Sequence, residues 1–296
     1  MTSLACSILP IADIPKATQD SIQKTDSDAL ETNSEDQSAT ITGQPNFPMD
    51  PPPEEAGACA NPLYPLVPGY RWVYEVNSRS ESTEISMTVS EIKGQQAILD
   101  VSYSNSGITS ELTVDCDEGE ILNFPTILLG YLFGDIGGSI EIENVRGVYA
   151  PNYDYLIDNL ENAEWSGEYL ASGEISTIVD GDEFVGTLSD SPVAMDWEVT
   201  PEGDTIFNPI EVAAGSYDNV LRITRQAELD FDASLTEDGV TTNLVAVMEL
   251  TTINWFVPNT GMVRQEVSES NIRVFGVRFP LYMEGDIELL QFSKEE

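Results

Sequence analysis

The chain has 296 residues, 41% of them hydrophobic, and sets 52 Asp and Glu against 12 Lys and Arg, for a formal charge of -40 with no histidine. So acidic a chain offers no clustered cations for a nucleic-acid backbone or for anionic lipid headgroups, which argues against both as direct partners. The missing imidazole excludes Ser-His-Asp and Cys-His nucleophiles and histidine-ligated zinc, leaving any enzyme with carboxylates, Lys, Tyr or a bound metal.

Residues 1–10 read MTSLACSILP. Ser3-Leu4-Ala5-Cys6 resembles the end of a bacterial lipobox, in which small residues precede a cysteine that receives diacylglycerol, so Cys6 is the candidate lipidation site. Ser3 stands where Leu is usual, and five residues are too few to direct export, so the expectation is a signal upstream of Met1; an ordinary thiol is the alternative for Cys6. Residues 11–58 consist largely of Ser, Thr, Asp, Glu, Gln, Asn and Pro, with Phe47 the lone aromatic. Such a segment buries too little apolar surface to offset chain entropy and reads as a disordered acidic linker with a reach of roughly 40 Å.

Cys59 begins the region 59–296 predicted to fold, and Cys116 closes a predicted strand. An extracytoplasmic protein would favour a disulfide between them, although spacing does not fix connectivity and two separate thiols fit equally well. From here the hydrophobic period is two. Ile85, Met87 and Val89 alternate with Ser86, Thr88 and Ser90, and Ala97, Leu99, Val101 and Tyr103 follow a turn at Lys93-Gly94-Gln95. A further strand runs from Ile108 to Val114. The apolar run Thr126 to Phe133 is far short of the roughly 20 residues of a membrane helix and reads as a buried strand or a cavity lip.

Tyr155 to Ala163 predicts a short helix. Beyond it, Leu221, Ile223, Ala227, Leu229 and Phe231 share a face, the turn Glu237-Asp238-Gly239 leads into a run from Thr241 to Val257, and Pro258-Asn259-Thr260-Gly261 turns the chain into Met262 to Ser268. The expected class is all-β, with a strongly curved antiparallel sheet forming a half-barrel or barrel. A weak echo between the Trp72-x-Tyr74 and Trp165/Tyr169 neighbourhoods suggests two similar halves, 59–123 and 150–270, each with its own sheet.

Tyr64-Pro65-Leu66-Val67-Pro68-Gly69-Tyr70-Arg71-Trp72-Val73-Tyr74 resembles the opening "YPL..G..W.Y" motif of an uncharacterised group of bacterial secreted and lipid-anchored β-proteins. Val212 to Ile223 and Trp255 to Arg264 are similar to later pieces of the same group. The resemblance implies a sheet similar in outline to the periplasmic half-barrels that carry lipoproteins and lipids. Ala214 departs from the Pro often seen there, and Phe124 to Tyr149 matches nothing in the group.

The chemical motifs are weak. Ser90-Glu91-Ile92-Lys93 has S-x-x-K spacing but lies on a period-two strand, where Ser and Lys do not share a helical turn. Gly137-Gly138-Ser139 falls short of a nucleophile elbow and has no histidine to serve it. Among the acid clusters, Asp180, Asp182 and Glu183 are the candidate Ca²⁺ ligands, because a turn would converge their oxygens, though without EF-hand spacing. Trp72, Tyr74, Trp165, Trp255 and Phe256, with Trp197, are core aromatics that would alternatively line a ligand cavity.

The expected protein is therefore a non-enzymatic, extracytoplasmic β-protein, lipid-anchored at the cell surface or in the periplasm or else secreted, that binds a hydrophobic small molecule or an envelope protein. It needs no cofactor unless Ca²⁺ and touches the membrane only through its anchor. A structural or adhesive surface module is the alternative, with a carboxylate-based hydrolase behind it.

The excess of carboxylates repels itself in the compact state, and salt screens that repulsion. The melting temperature is expected to rise from low to molar NaCl in calorimetry; a flat or falling trend would remove self-repulsion as a determinant of stability.

Overall fold

A computed structural model of the chain describes residues 49–294 apart from 79–81, 106, 108, 125–139, 180–181, 204, 238–239 and 281–284. Fourteen strands and one α-helix succeed one another among these residues. The first five strands are β1 (Tyr70–Ser78), β2 (Ser82–Lys93), β3 (Gln96–Tyr103), β4 (Thr109–Asp117) and the short β5 (Glu120–Ile121). After β6 (Ile140–Gly147) comes helix α1 (Tyr153–Asn159), then β7 (Glu164–Val179), β8 (Asp182–Val199) and β9 (Phe207–Val212). The chain ends with β10 (Gly215–Glu237), β11 (Val240–Val257), β12 (Gly261–Val274), β13 (Val277–Pro280) and β14 (Gly285–Lys294). The fold is all-β, as the period-two pattern requires.

All fourteen strands join one antiparallel sheet in the order β5-β4-β3-β2-β1-β14-β12-β11-β10-β8-β7-β6, with β13 added beside β12 and β9 beside β10. The two expected halves are thus arms of a single sheet rather than separate sheets. What joins them is β14, which lies outside both expected halves and pairs β1 on one side and β12 on the other.

The sheet curls until its two ends meet. A lone bridge connects Ile121 of β5 to Ala150, just past β6; Tyr149 N–H donates to Ile121 O at 2.7 Å and Ile121 N–H to Ala150 O at 2.9 Å. Asn144 of β6 adds a side-chain bond to Leu122 O at 2.8 Å. The edges touch at this bridge without a continuous ladder. A right-handed twist accumulated over so many strands produces this curling.

One face of the curl carries the core. Trp72, Tyr74 and Val76 of β1, Ile85, Met87 and Val89 of β2, and Leu221, Ile223 and Phe231 of β10 all point into it and are buried. The intervening residues, many of them acids, point out.

The linker ends earlier than its composition predicts. Met49 and Ala56 are buried, and Glu54–Cys59 forms a 3-10 helix, so the segment 49–58 belongs to the fold. The polar composition misleads because backbone groups hold this strap: Tyr153 Oη donates to Met49 O at 3.1 Å, and Asn259 Nδ2 reaches Asp50 O at 3.0 Å. Cys59 and Cys116 are bonded, with their Cα atoms 5.1 Å apart, which ties the strap to β4. Closing that loop is worth about 4 kcal/mol in the chain-entropy account.

Immediately beyond, Asn61 is fully buried. Its Nδ2 donates to Gly119 O and to Pro151 O, each at 2.8 Å, while its Oδ1 accepts from Leu63 N at 2.9 Å and Tyr64 N at 3.1 Å. The strap is fastened on its other side by the β11–β12 turn, where Asn259 N–H reaches Pro62 O at 2.8 Å, and β1 holds the same turn: Trp72 Nε1 donates to Thr260 O at 2.6 Å and Tyr74 Oη to Met262 O at 3.0 Å. Gly261 is required in this turn, because its φ is 106° and a Cβ there would lie 3.2 Å from Trp72 Nε1.

Truncating Asn61 strands two carbonyls and two amides in the interior, and each unmet buried group costs about 1–3 kcal/mol. Asn61→Ala is therefore expected to lose about 3 kcal/mol or more in denaturant unfolding, with an unchanged m-value; a loss under about 1 kcal/mol would show that the strap does not depend on this side chain.

Candidate functional site

The inner face around β7, β8 and β10 combines aromatic walls with a stripe of buried polar side chains. Successive ring pairs run along it: Trp165 stacks on Trp197 at 6.2 Å, Trp197 meets Tyr149 at 5.2 Å, Tyr149 meets Tyr64 at 5.6 Å, and Tyr64 meets Phe256 at 5.3 Å. Trp165 Nε1 donates to Tyr149 O at 3.1 Å, fixing the indole. Gly167 leaves room for the same wall, since a Cβ there would lie 2.4 Å from Tyr169 Oη.

The polar stripe crosses β10, β11 and β12. Arg225 pairs in register with Thr252, and Asn254 with Gln265; all four are buried. Asn254 Nδ2 donates to Thr252 Oγ1 at 3.1 Å and to Ile223 O at 3.3 Å. Arg225 is the exceptional member, the one charged side chain that is buried among the described residues, at 3% exposure. Its Nη1 donates to Tyr149 Oη at 3.2 Å, whereas Nε and Nη2 meet no acceptor. Gln265 Nε2 and Tyr169 Oη on the same face are also without partners. The Tyr169 hydroxyl faces the Asn144 side chain, which offsets part of the upward push of burial on its ionisation.

The five aromatics expected to act together are divided by strand parity. Trp72, Tyr74, Trp165 and Phe256 are buried on the inner face. Trp255, between the buried Asn254 and Phe256, faces the other way and lies under the Arg264 guanidinium at 5.4 Å; this corrects its expected place beside a ligand. Near Trp72 and Tyr74 the interior is filled. A space of about 20 Å³ remains there, bounded by Leu63, Tyr64, Leu66 and Met262, enough for about one water.

Asp180 and the side chains of Asp182 and Glu183 lie outside the described residues, as does Cys6. Among the described residues no three Cys, Asp or Glu converge as metal ligands would, and no Asp or Glu is buried. On the outer face an open groove of about 490 Å³ is lined by Asp196, Glu228, Glu249, Glu269 and Arg278. Glu249 there already pairs with both Arg273 and Arg278.

The sequence reading placed Leu221, Ile223, Ala227 and Leu229 on one face of β10 and passed over Arg225, although the same alternation puts Arg225 among them. That parity was the available signal: a cation at an inward position of a strand whose other inward residues are apolar.

With the geometry in hand, comparisons with known proteins add the following. No family model and no curated protein matches the chain. Among solved structures it is similar to a predicted exported protein with a YmcC-like fold from Bacteroides fragilis NCTC 9343, at 9% identity and a TM-score of 0.41 over 77% of this chain and 96% of that one. It is likewise similar to a predicted lipoprotein from Parabacteroides distasonis ATCC 8503, at 16% identity and a TM-score of 0.41 over 79% of this chain and 99% of that one.

Burial lifts the ionisation of several inner-face tyrosines. Tyr64 is pushed well above the usual phenol by burial and then by Tyr149, with Arg225 pulling the other way. Tyr74 is raised by burial and then by Tyr217, and Tyr169 by burial and then by Tyr149. In the unfolded chain phenols ionise near pH 10, so above that pH the unfolded state binds fewer protons than the folded one. Stability from these groups is complete below about pH 10 and is lost as pH rises. Absorbance titration at 295 nm is expected to show Tyr64, Tyr74 and Tyr169 ionising only when the protein unfolds; a full phenolate signal from the folded protein would contradict their burial.

Proposed function

We propose that the chain is an extracytoplasmic, lipid-anchored protein without catalytic activity that binds a hydrophobic ligand on the inner face of its curved sheet. The observation that carries the reading is that face itself: a wall of buried aromatics from Tyr64 to Trp165 with a polar stripe beside it, in a sheet whose edges meet at one bridge. A small set of polar groups within mostly apolar walls is the usual composition of a small-molecule site.

The Cys59–Cys116 bond supports the compartment, since disulfides persist in oxidising surroundings. Cys6 supports the anchor through its lipobox-like context.

Native mass spectrometry of the protein expressed behind a complete export signal and extracted gently from membranes reads both parts together. A diacylglyceryl mass on Cys6 with a co-purifying hydrophobic molecule is the expected result. An unmodified protein that carries nothing, and takes up nothing from a lipid extract, would overturn the reading in favour of a secreted structural module.

A further inference from the structure

Among the described residues, the polar stripe contains a charge with no counterpart. Arg225 is buried, its Nη1 is engaged by Tyr149 Oη, and its Nε and Nη2 are unfilled donors. Removing a guanidinium from water without a counter-ion costs heavily, and arginine does not escape by shedding its proton. Although the chain has 52 Asp and Glu, none among the described residues is buried at this position. The ionisable neighbours are the phenols of Tyr64, Tyr149 and Tyr169. Burial holds Tyr64 and Tyr169 neutral, so neither supplies a negative charge.

The other orphaned groups on this face have the same sense. Gln265 Nε2 is a donor and Tyr169 Oη can act as one. Unfilled donors beside a buried cation complement an oxyanion with several lone pairs, and a guanidinium's Nε and Nη2 edge presents two parallel N–H donors that can take a carboxylate or phosphate in two bonds. Around it the walls are Trp197, Tyr149, Tyr64 and Phe256, which favour an apolar body over a hydrated ion.

We propose that Arg225 anchors the head group of an anionic amphiphile, a carboxylate or phosphate carried on an apolar chain, through its Nε and Nη2. This deepens the binding reading above and rests on it for the apolar part of the ligand; the anion site stands on the guanidinium alone.

The test uses the delipidated full chain and follows tryptophan fluorescence and melting temperature with four probes: dodecanoate, dodecyl phosphate, dodecanol and acetate. At least one anionic amphiphile is expected to bind tenfold or more tighter than dodecanol, and whichever of the two binds better identifies the head group. Arg225→Met is expected to abolish that preference while raising the melting temperature of the empty protein by several degrees, because an unpaired buried charge has been removed. Arg225→Gln serves as a second variant if the first does not fold.

Equal binding of dodecanoate, dodecyl phosphate and dodecanol by the parent protein would overturn the anchor and leave a neutral hydrophobic ligand standing. Acetate binding as well as dodecanoate, and lost in Arg225→Met, would support the anion site while overturning the apolar-ligand reading. Failure of all four probes, with both variants melting below the parent, would make Arg225 a structural residue and overturn the proposal.

Discussion

The fold depends on fastening its strap, the segment from Met49 to Val67, to the end of the curled sheet. Asn61 is the centre of that fastening, because one side chain that is fully buried joins the β4–β5 turn at Gly119, the approach to α1 at Pro151, and its own strap at Leu63 and Tyr64. A buried amide with all its bonds made is specific in a way apolar contacts are not, since any slip in register leaves donors and acceptors stranded at once. The disulfide two residues earlier and the Trp72 and Tyr74 bonds to the β11–β12 turn act on the same junction. Residues from the start, middle and end of the folded chain therefore meet in one place, and the curl of the sheet is fixed there.

This gives the "YPL..G..W.Y" stretch a physical meaning. Leu66 and Trp72 are core residues, Trp72 and Tyr74 hold backbone carbonyls across the sheet, and Gly261 in the second similar stretch is the glycine whose missing Cβ leaves room for the Trp72 indole. Both stretches serve one joint. A likeness built on them reports how the curled sheet is fastened and carries little information about what it holds.

Electrostatically the molecule is inverted. The outside carries the carboxylates and keeps the few cations busy: Arg146 pairs with Glu168, Arg264 with Glu266, and Arg273 and Arg278 share Glu249. The inside carries a cation whose forked edge is unmatched. Exposed pairs contribute little to stability, so the outer arrangement bears mainly on solubility. The inner charge is costly wherever it is not paired, and its position among aromatics on the concave face makes it the chemically distinctive point of the fold.

Alternating apolar residues determined the class of the fold, the β2–β3 hairpin at Gly94, and the long strands β10 and β11, because a two-residue period is a local property that needs no knowledge of partners. Composition alone placed the acidic exterior and excluded histidine chemistry. Only the tertiary structure decided that the two arms are one sheet, since β14 pairs both of them across more than 200 residues of chain in the case of β1. It alone showed that the strap begins by Met49, because hydrogen bonds from Tyr153 and Asn259 order a segment whose composition reads as linker. The same division runs through the site. Parity in β10 was enough to turn Arg225 inward. Its isolation from every carboxylate among the described residues depends on which strands lie opposite, and that is set by the curl of the sheet rather than by any run of neighbouring residues.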